Sequence, residues 1–301
     1  MTTLRSKTIF ITGGRAMAHR AAADGARIVI AAKTDAPHPK LPGTIHTVAK
    51  EIIELCGEAL PLVVDVRDDA ALVDAVAVAV KRFGGIDVLV NNASAVNLSK
   101  TLDLPMSRFD LIFDINVRGT FAATKACLPH LKTAQNPHVL TLSPPLDLVP
   151  RWFGDHCGYT ISKYAMSMTV LGYAMSMTVL GFAAEFRDDG MAVNALWPRT
   201  MIETAASEII GVSADGCRRP EIMADAAYAI LTRDSRTCTG NFFLDEDVLR
   251  DSGTSNFERY ASTPGASLVN DLFVHLTPAC RCCETREATP RALCETRLSR
   301  H

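Results

Sequence analysis

The stretch TIFITGG, Thr8 to Gly14, decides the fold. Five strand-favouring residues run into a glycine pair, which reads as a buried β-strand ending in a tight turn. Similar runs recur along the chain: RIVIAA at Arg27–Ala32, ALPLVV at Ala59–Val64, VLV at Val88–Val90, VLTL at Val139–Leu142, AVNAL at Ala192–Leu196 and NFFL at Asn241–Leu244. Helix-like segments separate them, for example Ala70–Phe83 and Phe109–Leu131. Val-, Ile- and Leu-rich strands with helices between them imply a parallel sheet covered on both faces. Right-handed crossovers should join the strands.

This pattern predicts an α/β, doubly wound parallel sheet (Rossmann-type) in a single domain, with its ligand site at the carboxyl ends of the strands. The 301 residues, 48% hydrophobic and 21% charged, suit one large globular domain. The formal net charge of −2 and the lack of a long basic run exclude nucleic acid as the expected partner. The opening MTTLRSK has no signal-peptide architecture, so an intracellular location with reduced thiols is expected. Four of the nine cysteines crowd the tail as Cys280, Cys282, Cys283 and Cys294. Their spacing matches no common zinc pattern, and no metal site is expected. Between Lys163 and Glu185 lie 21 uncharged residues, long enough to cross a bilayer. Their Ser, Thr and Gly content favours a buried helix over a membrane span. Asp35–His46 reads as a surface loop, and residues 278–301 as a poorly ordered tail.

The segment with the strongest chemistry is Tyr159-Thr-Ile-Ser-Lys163. Helical residues four apart share a face, so a phenol and an ammonium can enter one pocket. A nearby cation favours the phenolate, which predicts a lowered Tyr159 pKa and a group able to exchange a proton with a carbonyl or alcohol. Other motifs accompany it at strand ends: Thr12-Gly13-Gly14, Asp65-Val66, Asn91-Asn92-Ala93-Ser94, Asn116-Val117-Arg118-Gly119 in a helix, Ser143, and Asn194-Ala195-Leu196-Trp197-Pro198.

That ordered set resembles the short-chain dehydrogenase/reductase family over roughly residues 5 to 250. The resemblance implies an oxidoreductase that moves hydride between a nicotinamide cofactor and a carbonyl or secondary alcohol. It implies Tyr159 as general acid/base and Lys163 as its tuner and the ribose anchor. Asn116 would hold a proton-relay water and Ser143 would orient the substrate carbonyl, although the family's serine position could instead fall on Pro144. Thr12, Gly13 and Gly14 would meet the cofactor phosphates, Asp65 the adenine, and Asn91 the cofactor cleft. Residues 1–250 would form the nucleotide-binding oxidoreductase domain and 251–301 a C-terminal extension. Homo-oligomers and a peroxisomal or mitochondrial location follow from the same resemblance.

The end of the second strand, Ala31-Ala32-Lys33-Thr34, lacks the acid that binds ribose hydroxyls in NAD-specific proteins. Lys33 can meet a 2′-phosphate, so NADP is the expected cofactor. Arg199–Ile202 and residues 201–220 should cover the substrate, and their apolar content predicts a hydrophobic, lipid-like carbonyl compound.

Two features break the family pattern. The glycine loop T-G-x-x-x-G-x-G is about five residues short, because Arg15-Ala16-Met17 follows Gly14 at once. The helix N-terminus that should hold the phosphates is therefore expected to be lost or displaced, and a non-catalytic scaffold with impaired cofactor binding is the alternative reading. The second break is a tandem copy: YAMSMTVLG occupies residues 164–172 and again 173–181. Nine residues make 2.5 helical turns, so a continuous helix would turn its downstream apolar face by half a turn.

Overall fold

A computed structural model describes residues 3–37, 43–170 and 181–274. Seven strands form one parallel sheet: β1 Thr8–Thr12, β2 Arg27–Ala32, β3 Glu58–Val63, β4 Val88–Asn91, β5 His138–Thr141, β6 Ala192–Trp197 and β7 Phe242–Leu244. Their order is β3-β2-β1-β4-β5-β6-β7. The direction of winding reverses between β1 and β4, and a cleft opens at such a switch point. The predicted doubly wound sheet is the observed one. The third strand starts one residue earlier than its apolar run, and Pro61 sits within it. As β3 is an edge strand, a missing N–H is tolerated there.

One face of the sheet carries α1 Arg15–Ala23, α2 Ile45–Glu54, and, from further along the chain, α10 Glu221–Leu231 and α11 Asp245–Asp251. The other carries α3 Asp69–Phe83, α5 Thr120–Leu131 and α8 Phe182–Glu185. Side chains alternate across β1: Ile9 and Ile11 join the first core, Phe10 the second. All three are essentially inaccessible to solvent. Short helices α4 Met106–Phe113, α6 Arg151–Gly154 and α9 Ala205–Ile209, with α7 Cys157–Val170, surround the carboxyl edge.

Asp114–Gly119, between α4 and α5, is a π-helical turn. Such turns are rare and concentrate at functional sites. His46 is not in a loop: Thr44 caps α2 through its side chain, so the helix starts at Ile45 and His46 pairs with Asp35 at 2.6 Å. The first copy of the repeat completes α7 as far as Val170, and Phe182, Ala183 and Phe186 are buried on the second core. The expected half-turn falls on residues 171–180, outside the described residues, as does the tail cysteine cluster. Among the described residues no helix is long and apolar enough to cross a membrane.

Candidate active site

The glycine turn has compacted rather than dissolved. Gly13 and Gly14 adopt left-handed φ of 83° and 81°, and α1 starts directly at Arg15. A Cβ on Gly14 would meet Met17 Cε at 3.1 Å and Ile11 Cγ2 at 3.2 Å, so the position needs glycine on both counts. Of the two expectations, lost or displaced, the loss does not hold: the helix N-terminus is present, and Gly14, Arg15, Ala16 and Met17 line the cleft. The first amides of a helix have no intrahelical acceptor and favour anions. Side chains now stand where the family's later glycines would admit a phosphate closely. Arg15 is also drawn sideways to Glu51 at 2.5 Å, beside His19 at 2.8 Å from the same carboxylate.

Thr12 ties the turn to β4. Its Oγ1 accepts from the Asn92 and Ala93 amides at 3.0 Å each, and its carbonyl accepts from Asn92 Nδ2 at 3.3 Å. Asn92, rather than Asn91, lines the cleft. Asn91 points the other way, donating to Thr124 Oγ1 at 3.1 Å while its Oδ1 is buried and unpaired. Adjacent strand residues face opposite sides, so one residue of register decides which asparagine a ligand meets. Asp65 lies apart from the cleft lining, with its carboxylate held by Arg67 at 2.5 Å and its pKa below the usual carboxylate range through that hydrogen bond. Lys33 is exposed on the same side, near enough to Asp65 to contribute to that lowering.

Asn116 is wholly buried in the π-turn. Its Oδ1 accepts from the Ala95 amide at 2.7 Å and Ser94 Oγ at 3.1 Å; its Nδ2 donates to Ala95 O at 3.0 Å and Ser162 Oγ at 3.1 Å. The side chain thus locks the loop after β4 onto α7, and these four bonds occupy its hydrogen-bonding groups. Replacing Asn116 by Ala should cost about 2–4 kcal/mol, because several buried partners lose their bonds together. Urea unfolding of the variant checks this.

Tyr159 and Lys163 enter one cleft of about 1420 Å³, together with Asn92, Ser94, Leu142 and Trp197. Lys163 is 2% exposed; its Nζ donates to Leu142 O at 2.6 Å and lies 4.9 Å from the Trp197 ring centre. Burial pushes its pKa down to about 7. The expected lowering of Tyr159 is not what the geometry gives. Burial pushes the phenol above its ordinary value and the Asp271 carboxylate adds to the rise. The raised pKa keeps Tyr159 protonated near neutral pH, so it rests as a proton donor, though as a weaker acid than an ordinary phenol. Ser143 is fully buried just past β5, and its Oγ has no partner among the described residues. Pro144, the other candidate for the serine position, offers no hydroxyl, and its carbonyl accepts from Ser167 Oγ at 2.6 Å.

The substrate-side wall combines the loop after β6 with a strap from the C-terminal part of the chain. Met201, Ile202, Ala206, Ile210, Met223 and Leu272 supply apolar surface. Thr200 Oγ1 is buried and unpaired. Phe273 is 1% exposed and centres an aromatic cluster, with ring centres 5.3 Å from Tyr164, 5.6 Å from Trp152, 6.0 Å from Trp197 and 6.3 Å from Tyr159. Sequence reasoning chose Asn91 over Asn92 within its motif, had Thr200 only as part of the loop expected to cover the substrate, and missed Asp271 and Phe273. Only the short apolar run around Asp271 (Leu268-Val269, then Leu272-Phe273-Val274) marks a buried segment there.

A parallel seven-stranded sheet with Tyr159 and Lys163 at its switch-point cleft defines a dinucleotide-type oxidoreductase scaffold, and the short chain dehydrogenase family model matches residues 7–210: the chain belongs to that family. It is 53% identical to hydroxysteroid dehydrogenase-like protein 2 of Danio rerio over 278 residues, and 51% identical to that of Homo sapiens over the same length. These matches cover 90% of this chain and 64% of each relative, so the chain spans somewhat under two thirds of their length. Among solved structures, a Xanthomonas campestris protein described as a dehydrogenase superposes with a TM-score of 0.85 at 50% identity, covering 91% of this chain and 99% of that one. A Mycobacterium thermoresistibile short chain dehydrogenase gives 0.83 at 48%, covering 91% and 96%.

Proposed function

We propose that the protein is an NADP-dependent oxidoreductase that interconverts a hydrophobic carbonyl compound and its secondary alcohol. The observation that carries this is the convergence of the Tyr159 phenol and the Lys163 ammonium on one cleft at the sheet's switch point. The nicotinamide end of the cleft fits such a cofactor. Next to the lining residues Leu142 and Met201, the buried hydroxyls of Ser143 and Thr200 have no partner among the described residues, and buried hydroxyls ordinarily have partners.

A nicotinamide dinucleotide, when bound, supplies or accepts the hydride. The chain's own residues do the rest. Tyr159 hands its proton to the substrate oxygen, or takes one from the alcohol. The family resemblance gives Ser143 Oγ, buried and unpaired one residue past the lining residue Leu142, the part of hydrogen-bonding the same oxygen. Lys163 would hold the ribose and keep positive charge beside the phenol. Asn116 keeps the loop after β4 in register with α7, so its part in any water relay is indirect. The apolar wall excludes water and accepts a lipid-like chain.

Lys33 supports NADP over NAD. It is exposed beyond the end of β2, and the first acid after it, Asp35, is paired with His46. A Lys33→Glu variant should bind NADPH about tenfold or more weakly, with NADH affinity little changed, since one charge-assisted bond to the 2′-phosphate is lost. Nicotinamide fluorescence titration measures both. Exposed Phe121 on α5 and Ile161 and Met168 on α7 support assembly into a homo-oligomer, which sedimentation tests. The peroxisomal or mitochondrial location belongs to the same proposal, rests on the family resemblance, and is tested by a fluorescent fusion.

The experiment for the whole reading is saturable NADPH binding, followed by turnover of a panel of hydrophobic ketones. No saturable binding would favour the scaffold alternative.

A further inference from the structure

The strap that closes the cleft is stitched to the loop after β6. Met201 N donates to Val269 O at 2.8 Å, Thr200 and Asn270 form an antiparallel bridge, Asp271 N donates to Arg199 O at 3.1 Å, and Trp197 Nε1 donates to Leu272 O at 2.8 Å. With Phe273 anchored in the aromatic cluster, the strap is a fixed wall. It places Asp271 in the lining of the cleft that Tyr159, Lys163 and Trp197 also line, without a direct ion pair to Lys163.

Lys163 has a problem that its immediate neighbours do not solve. Its Nζ contacts are a carbonyl oxygen at 2.6 Å, the Met166 sulfur at 3.4 Å and the face of Trp197. None of these carries a full negative charge. A buried ammonium without a counter-charge is costly and tends to lose its proton. A neutral amine would neither attract ribose oxygens strongly nor support a phenolate beside it.

We propose that Asp271 is a positioning residue for the reaction, acting through Lys163: its carboxylate supplies the counter-charge that keeps the lysine an ammonium within the apolar wall. The inference rests on the reading of Tyr159 and Lys163 given above.

The titration directions agree. Burial pushes Asp271 up to about 7 and Asp245 adds to the rise; a hydrogen bond from the Leu272 backbone, then the Lys163 charge, then a hydrogen bond from Trp197 oppose it. Burial pushes Lys163 down to about 7, and Asp271 opposes that fall. Near neutrality two such sites share protons and titrate as a pair. The other charged or titratable groups around Asp271 are Tyr159 on α7, the Cys217 thiol and Asp245 at the start of α11. The Arg199 side chain is turned away, held by Asp247 at 2.6 Å. Lys163 is thus the cation among the groups that act on Asp271.

Trp197 reports on the pair directly, because its ring covers the Lys163 ammonium. Its indole N–H is also bonded to the strap at Leu272. The chain has two tryptophans, so a Trp152→Phe background isolates its emission. Emission of that apoprotein should titrate near pH 7. Adding Asp271→Asn should move the Lys163 transition down by about one to three pH units, the range an opposite charge produces. Lys163→Met should move the Asp271 transition up by a similar amount, and Asp271→Glu should restore the parent curve. Superimposable titrations of the parent and Asp271→Asn overturn the inference; if that variant fails to fold, an unmoved carboxyl transition in Lys163→Met does the same.

The titration needs neither cofactor nor substrate, so it separates two failures. Turnover that depends on Tyr159, with uncoupled titrations, removes Asp271 alone. Coupled titrations in a protein that never turns over remove the hydride-transfer reading and Asp271's catalytic part with it. In an active enzyme, Asp271→Asn should also shift the pH limb of kcat by the same interval as the fluorescence, and Asp271→Glu should bring it back.

Discussion

Tyr159→Phe is expected to lower turnover of any carbonyl substrate by a factor of about 10²–10⁴, the usual contribution of a positioned acid or base. The structure makes this an unusually clean test, because the hydroxyl makes no hydrogen bond with the described residues while the ring packs beside His156 and Phe273. Phenylalanine keeps that packing. Removing a hydroxyl that lines the cleft without a protein partner costs the fold little. The variant should therefore unfold at nearly the same denaturant concentration as the parent and bind NADPH with little change. A fall in kcat with KM unaltered would locate the loss in the chemical step. Turnover that survives the substitution would remove Tyr159 from its role.

The second large effect concerns the compacted glycine turn. Inserting five residues x-x-x-Gly-x between Gly13 and Gly14 completes the family's T-G-x-x-x-G-x-G pattern in this chain. NADPH should then bind about ten- to a hundredfold more tightly. The gain comes from one or two backbone N–H bonds to charged phosphate oxygens, each contributing about 1.5–3 kcal/mol before the loop's own ordering cost is subtracted. Removing Cβ atoms from the approach path works in the same direction. Kd from nicotinamide fluorescence decides. An unchanged Kd would mean that the α1 N-terminus, as it stands at Arg15, already serves the pyrophosphate fully.

Much of the fold can be read directly from the chain. The buried strands announce themselves as uninterrupted apolar runs, since both sheet faces are covered, and their carboxyl ends carry the chemistry because helices restart there. The site was less legible, for three identifiable reasons. Asn91 and Asn92 are chemically identical neighbours, and only strand register says which faces the cleft. The sign of the Tyr159 shift depends on the balance between burial and charge, which spacing along a helix cannot weigh: here burial dominates both the phenol and the amine. Asp271 and Phe273 lie in a segment without helical or strand period, more than a hundred residues from Tyr159, so nothing local links them to it. The tandem copy illustrates the converse. It is obvious in the sequence, yet Tyr159 and Lys163 precede it and β6 still pairs with β5 in register.

The strap also sets an order of assembly. The β-sheet is complete once residue 244 is available, and the second core can close then, while the first still needs Val248, Leu249 and Tyr260. Phe273 is the last ring of the aromatic cluster to be synthesised and must travel back to the loop that follows β6. A nascent chain held just short of it would already own every strand, Tyr159 and Lys163, yet their cleft would stand open on one side. The pocket is finished only when the strap of Val269 to Phe273 has left the exit tunnel.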